Sequence, residues 1–158
     1  MRGMQISLSE ARFDSPAVRA LLAEWDGENR AANPSFSAGG GSTVESSDFA
    51  APQGVFLVAA AGATPIGCGG LRHLSSTTGE VKRLFVTRAA RGGGVGRALL
   101  DALEERAPGL GFTCLRLDTG AGDPGVLALL RAANYQPIPD YNGNPYARYW
   151  FEKQLPAP

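Results

Sequence analysis

Between residues 80 and 103 the chain reads EVKRLFVTRAARGGGVGRALLDAL: a strand-like apolar run, a basic glycine-rich loop, then a helix-patterned segment. No other stretch constrains the fold as much. A strand that feeds a glycine loop into a helix N-terminus turns unpaired main-chain N–H groups, and the positive end of the helix dipole, toward an anion. Gly92, Gly93, Gly94 and Gly96 remove the Cβ atoms that would hold a ligand away from those groups, and Arg91 and Arg97 bracket the loop with positive charge. Beyond it, Leu99, Leu100, Leu103 and Ala107 form one stripe, opposite Arg97, Asp101, Glu104 and Glu105, as an amphipathic helix requires.

The identity of the anion is bounded by charge. The chain carries 15 basic and 15 acidic residues, so it has no general attraction to nucleic acid, and the anion site must be local. A length of 158 residues suits a single domain spanning the whole chain. Cys68 and Cys114 sit inside apolar runs and read as small buried hydrophobes in a reducing compartment rather than as a disulfide framework. No apolar run reaches the roughly 20 residues of a membrane span, and the N-terminus lacks the apolar core of a signal peptide. The expected location is the cytoplasm, with no membrane partner. No His/Cys cluster has metal-ligand spacing, so no metal is expected.

In chain order, residues 4–13 alternate enough for a first strand. Ser15 as N-cap and Pro16 at the first helical position open a helix whose stripe is Val18, Leu21, Leu22 and Trp25, ending near residue 26. Residues 26–53, rich in Gly, Ser, Ala and Asn, read as a mobile lid over an acceptor. An antiparallel hairpin follows at 54–61 and 66–74, its second strand holding three glycines that signal a bulge or a close approach. The strand at 80–86 leads into the loop and its helix. Then come a strand at 112–118, a helix opened by Asp123-Pro124 and running to Asn134, and short closing strands with an aromatic-rich segment at 146–155. The order βα, β, β, βα, βα, β, β predicts a mixed sheet with helices on both faces.

Two nucleotide-binding motifs fail on detail. A Gly-x-Gly-x-x-Gly frame begun at Gly92 meets Arg97 and one begun at Gly94 meets Leu99, although Asp118 falls where a ribose-binding acid would stand. A kinase-type phosphate loop lacks its Gly-Lys-Ser/Thr.

Arg91-x-x-Gly94-x-Gly96 at a strand-to-helix junction resembles the pyrophosphate loop of the GNAT superfamily of acyl-CoA-dependent N-acyltransferases. The resemblance covers most of the chain: residues 79–86 resemble the preceding strand, 115–119 with 123–135 the following strand and helix, and 139–155 the closing strands. It implies an α/β (α+β) fold with a mixed, mostly antiparallel sheet of six to seven strands. It implies acetyl-CoA as donor and a small-molecule or peptide primary amine as acceptor, joined by direct attack through a tetrahedral intermediate. The main-chain groups of Gly92, Gly93, Gly94, Val95, Gly96 and Arg97, with Arg91, would bind the pyrophosphate, and Leu84, Phe85 and Val86 would pair with the pantetheine arm as a strand does. A homodimer is a habit of the family.

An ammonium acceptor needs a base, and the resemblance places Glu80 near the acceptor cleft, acting through water; its bland alternative is a carboxylate paired with Lys82 or Arg83. Tyr141 and Tyr146 are the alternative acid or base residues, each otherwise an aromatic packed in the sheet. His73 reads as a surface residue. Leu130 stands where many members carry an acidic tyrosine, so that role does not transfer, and a non-catalytic acyl-CoA-binding module or sensor is the alternative function. Asn134 replaces a common glycine and suits a left-handed helix cap.

Overall fold

A computed structural model of the chain describes residues 5–120 and 124–156. A seven-stranded sheet in the order β1-β2-β3-β4-β5-β7-β6 organises them. Its strands are β1 (Ile6–Glu10), β2 (Gly54–Ala61), β3 (Thr64–His73), β4 (Thr78–Val86), β5 (Cys114–Thr119), β6 (Gln136–Ile138) and β7 (Tyr149–Gln154). Every neighbouring pair is antiparallel except β4 and β5. The mixed, mostly antiparallel sheet expected from the sequence is therefore present.

Helix α1 (Pro16–Ala32) and the short α2 (Ala38–Gly41) belong to one side of the sheet, and α3 (Val95–Arg106) and α4 (Pro124–Ala132) to the other. The Ser15 side chain accepts from the Val18 N–H, and Pro16 opens α1 as predicted. The helix continues past residue 26, through Ala32, where the Asn33 N–H caps it on the Asn29 carbonyl. Residues 27–32 are charged, amidic or small, so the apolar stripe that marks a helix in sequence stops one turn and a half too soon. The rest of the 26–53 stretch holds α2 and a 3-10 turn at Ser46–Phe49. The aromatic strand predicted from residue 146 begins only at Tyr149, because 139–148 folds back over the sheet through Asp140, Asn142 and Asn144 side-chain turns. The predicted Asp123 cap lies outside the described residues. Asn134 adopts φ 69°, and Tyr135 N–H closes the α4 C-terminus on the Leu130 carbonyl at 2.9 Å.

Two cores sandwich the sheet. On the α3 side, Val95, Leu99 and Leu103 pack with Leu57, Leu71, Leu115, Leu130 and Phe151. On the α1 side, Val18 and Leu21 pack with Phe49, Phe56, Cys68 and Phe85. The glycines of β3 let both close. A Cβ at Gly67 would stand 3.1 Å from Leu99 and Val95, and one at Gly70 would stand 2.6 Å from the rings of Phe49 and Phe56. Both cysteines are free and buried.

A cleft between parting parallel strands

Strands β4 and β5 pair only at Thr78↔Cys114, Gly79↔Leu115 and Glu80↔Arg116. Past Glu80 they part. A β-strand points alternate N–H and C=O groups to each side, so from residue 81 to 86 the β4 groups that face β5 have no strand partner. The cause of the parting is local: Arg83 holds φ 56°, and the β3–β4 register slips between Cys68 and Gly70, as a bulge that bends and twists its strand. The free edge runs toward the loop. There Gly92 and Gly94 take φ 83° and 84°, and nothing lies within 4 Å of where their Cβ atoms would be. Gly94 caps α3, whose first N–H groups have no intrahelical partners, while Val95, 1% exposed, anchors the turn in the core. An open glycine turn at a helix N-terminus and an unpaired strand edge thus form one continuous track. Leu84 and Val86 pack toward α3 and Phe85 toward α1, leaving the backbone edge as what this part of the track presents.

The bracketing arginines are already engaged. Arg91 donates from Nε to the Val86 carbonyl at 3.1 Å and from Nη2 to Glu28 of α1, and Arg97 pairs with Asp101 at 2.9 Å one helical turn on. Arg91 therefore fastens α1 and the end of β4 to the loop. Its pairing leaves the backbone N–H groups and the dipole of α3 as the unmatched positive elements of the cradle.

At the inner end of the track sits Glu80, 2% exposed. Its Oε1 accepts from Arg72 Nε and Nη2 at 3.1 and 3.0 Å, and its Oε2 accepts from Tyr141 Oη at 2.6 Å and Asn142 Nδ2 at 3.4 Å. The carboxylate's partner is thus Arg72, directly across the hairpin, and not Arg83 or Lys82. Register explains this: Arg72↔Glu80 are opposed residues on one face of β3 and β4. Arg72 also reaches the Thr43 carbonyl at 2.8 Å, Ser42 Oγ at 3.3 Å and Asp48 at 3.2 Å, fixing the 42–48 segment above the site. Burial first, then the charge and hydrogen bond of Glu80, push the Tyr141 pKa upward, so this phenol keeps its proton at neutral pH. Tyr146 has a different place. Its hydroxyl donates to the Ser35 carbonyl at 3.2 Å and accepts from the Ser37 N–H at 3.3 Å, and its ring lies 4.8 Å from Phe36.

Lys82 follows Glu80 on the same face, 5% exposed, and makes no hydrogen bond or salt bridge with any described residue. Burial lowers its pKa, against the raising influence of Glu80 and Asp118 and with the lowering influence of Arg83 and Arg72. The bulge turns Arg83 to this face too: Nη2 donates to the Ser42 carbonyl at 3.0 Å, and the guanidinium lies 4.5 Å over the Trp25 ring. Across the cleft, Asp118 of β5 accepts from Asn142 and Asn144. His73 is exposed and rests on Phe112, 4.5 Å between ring centroids. A separate groove lined by Arg12, Phe13, Ala50 and Leu110 contains neither Glu80, Lys82 nor the loop glycines, and it has none of the convergent polar groups of this cleft.

Of the residues singled out from the sequence, 84–86, 91–97 and Glu80 lie along this one track. Sequence reasoning missed Arg72, Asn142 and the isolation of Lys82. Only Arg72 had a legible signal, since counting out from the 75–79 turn sets it opposite Glu80.

A model of the Acetyltransferase (GNAT) family matches residues 18–135. An IAA acetyltransferase of Azospirillum brasilense is 37% identical over 111 residues, 68% of this chain and 72% of that protein. Two solved structures share the fold: the PaiA N-acetyltransferase of Thermoplasma acidophilum in complex with coenzyme A and a GNAT family acetyltransferase of Elizabethkingia anophelis with acetyl-CoA bound. The first has TM-score 0.72, 16% identity and coverage of 96% of this chain and 99% of that one. The second has TM-score 0.63, 19% identity and coverage of 95% and 98%. The family match takes in α1, the free β4 edge, the glycine loop and α4 together, and by it the chain belongs to the GNAT family of acyl-CoA-dependent acetyltransferases.

Proposed function

We propose that this protein moves an acetyl group from acetyl-CoA to a primary amine, with Glu80 as the base that readies the acceptor. The single observation that carries the reading is the continuity of the track: cradle at 92–97, unpaired edge at 81–86, buried carboxylate at the inner end. On this reading the pyrophosphate lies on the N–H groups of 92–97 and the pantetheine arm pairs with the free main chain around Leu84, Phe85 and Val86. On the same reading, a free main-chain N–H of this edge donates to the thioester oxygen as it gains charge during attack. The amine nitrogen bonds to the thioester carbon, the carbon–sulfur bond breaks, and the thiolate leaves with the electron pair and takes up the proton that the attacking nitrogen sheds, giving amide and free thiol.

Glu80 already has four donors on two oxygens, which is a carboxylate's full complement. The longest, Asn142 at 3.4 Å, is the contact a water molecule would replace to carry the ammonium proton to Glu80. Leu130 is fully buried in the α3-side core, so no acid acts from that position. Tyr146 serves on this reading to hold the 33–37 segment, as a wall of the acceptor side, rather than as acid or base.

Release of free thiol from acetyl-CoA across an amine panel tests the transfer. Tight coenzyme A binding without turnover on any amine would identify a binding module instead. For the base, Glu80→Gln is expected to lower kcat/KM about 100-fold at neutral pH and less at high pH, where free amine is abundant. A parallel drop at every pH would remove the role from Glu80.

A further inference from the structure

Glu80, Lys82 and Arg83 bring three charged side chains to the cleft within four residues, and no two of them form a salt bridge with each other. Glu80 is matched by Arg72, Tyr141 and Asn142, and Asp118 by Asn142 and Asn144. Among the described residues Lys82, although buried, has no hydrogen-bonding partner, and Arg83 touches a carbonyl and an indole face but no carboxylate. Buried charges in folded proteins are paired. Two adjacent unpaired cations on the wall of a cleft are therefore complementary to an anion that arrives from outside.

The coenzyme's phosphates are too distant to be that anion. Val86 lies four residues from Lys82 along β4, about 13 Å at the rise of a strand, and the cradle begins beyond Val86. The pantetheine arm that would fill the interval is uncharged. What remains is a carboxylate at the reacting end, carried either by the acceptor or by a dicarboxylic acyl group on the thioester. The side chains decide between them. Arg83 faces α1 and the 33–49 segment, with Trp25 under it and Phe36 against Trp25 at 5.5 Å, and Lys82 lies two residues from Glu80 on the same face of β4, whereas the donor track is the strand edge. Resting on the transferase reading above, we infer that Lys82 and Arg83 hold a carboxylate of the acceptor, so that the acceptor is an amine bearing a carboxylate, such as an amino acid. The same two cations repel polyamines and other polycations, which makes the site selective against them as well as for its ligand.

Matched pairs test this, each an amino acid and the amine left by its decarboxylation, with acetyl-CoA as donor and thiol release as readout. The carboxylate-bearing member is expected to show a kcat/KM roughly thirty-fold or more above its partner. Lys82→Met is expected to erase most of that preference through KM, leaving coenzyme A affinity by calorimetry unchanged, and Lys82→Arg to restore part of it. Equal or better turnover of the decarboxylated amines or of polyamines overturns the assignment while leaving the transferase intact. So does a preference unmoved in Lys82→Met. A preference for succinyl-CoA over acetyl-CoA with carboxylate-free amines would move the carboxylate to the donor and overturn the acceptor assignment. Absence of thiol release from every member removes the transferase reading and this inference with it.

Discussion

Arg72→Met cuts the link between the floor of the cleft and the segment above it. The side chain is 18% exposed and its partner Glu80 only 2%, so the substitution leaves a desolvated carboxylate with Tyr141 and Asn142 but no salt-bridge partner. Removing one partner of a buried pair costs about 3–5 kcal/mol, and the partial exposure of Arg72 places this case near about 3 kcal/mol. For a chain of this size that lowers Tm by about 6–12 °C, at roughly 2–4 °C per kcal/mol. Thermal and urea unfolding of Arg72→Met, Glu80→Gln and the double variant form a cycle. Because a neutral amide needs no counter-charge, Glu80→Gln is expected to recover a good part of the loss in the Arg72→Met background, with a coupling of about 1–3 kcal/mol. The single variant should also be cut faster by protease within 42–48, since its anchors to Ser42, Thr43 and Asp48 are gone. A loss below about 0.5 kcal/mol would refute the burial argument, as would strictly additive single effects.

Gly94→Glu tests the cradle: the residue sits at φ 84° with open space around it, so the fold is expected to lose only about 1–2 kcal/mol of backbone strain while coenzyme A binding by calorimetry falls more than about 100-fold; retained affinity would refute the placement. Lys82→Met is expected to raise stability at pH 7 by about 1–2 kcal/mol, read by urea unfolding. The sign follows from its lowered folded-state pKa: below that value the cost of burying the ammonium is fully present, and stability rises with pH between it and the unfolded value of 10.5. The advantage of the variant should therefore shrink as pH rises through that window, and a constant difference would exclude a charge origin. Burial pushes the Cys68 thiol up to about 12, with the Arg83 charge only partly opposing, so at pH 8 the native protein should leave Cys68 unmodified by a thiol reagent that labels it rapidly in urea.

What the chain's local chemistry determined was whatever a few neighbouring residues enforce. Ser15-Pro16 starts α1, Asn134 ends α4 in a left-handed turn, and Gly92 and Gly94 take positive φ with open space about them, because capping and positive φ are decided within a turn of the chain; Gly96, expected to clear the way for a ligand, instead lies where a Cβ would meet Leu129 at 3.2 Å. The family was legible for the same reason. The length of α1 was not, since residues 27–32 carry no apolar stripe and are held by helix continuation and by Glu28 meeting Arg91 from 63 residues away. Tertiary structure alone decided the chemistry of the cleft. Whether Glu80 answers to Lys82, Arg83 or Arg72 depends on strand register and on one bulge at Arg83, and whether a cation is left unmatched depends on every element packed around it. Sequence shows that Lys82 is charged; only the fold shows that it is buried with no hydrogen bond or salt bridge to any described residue.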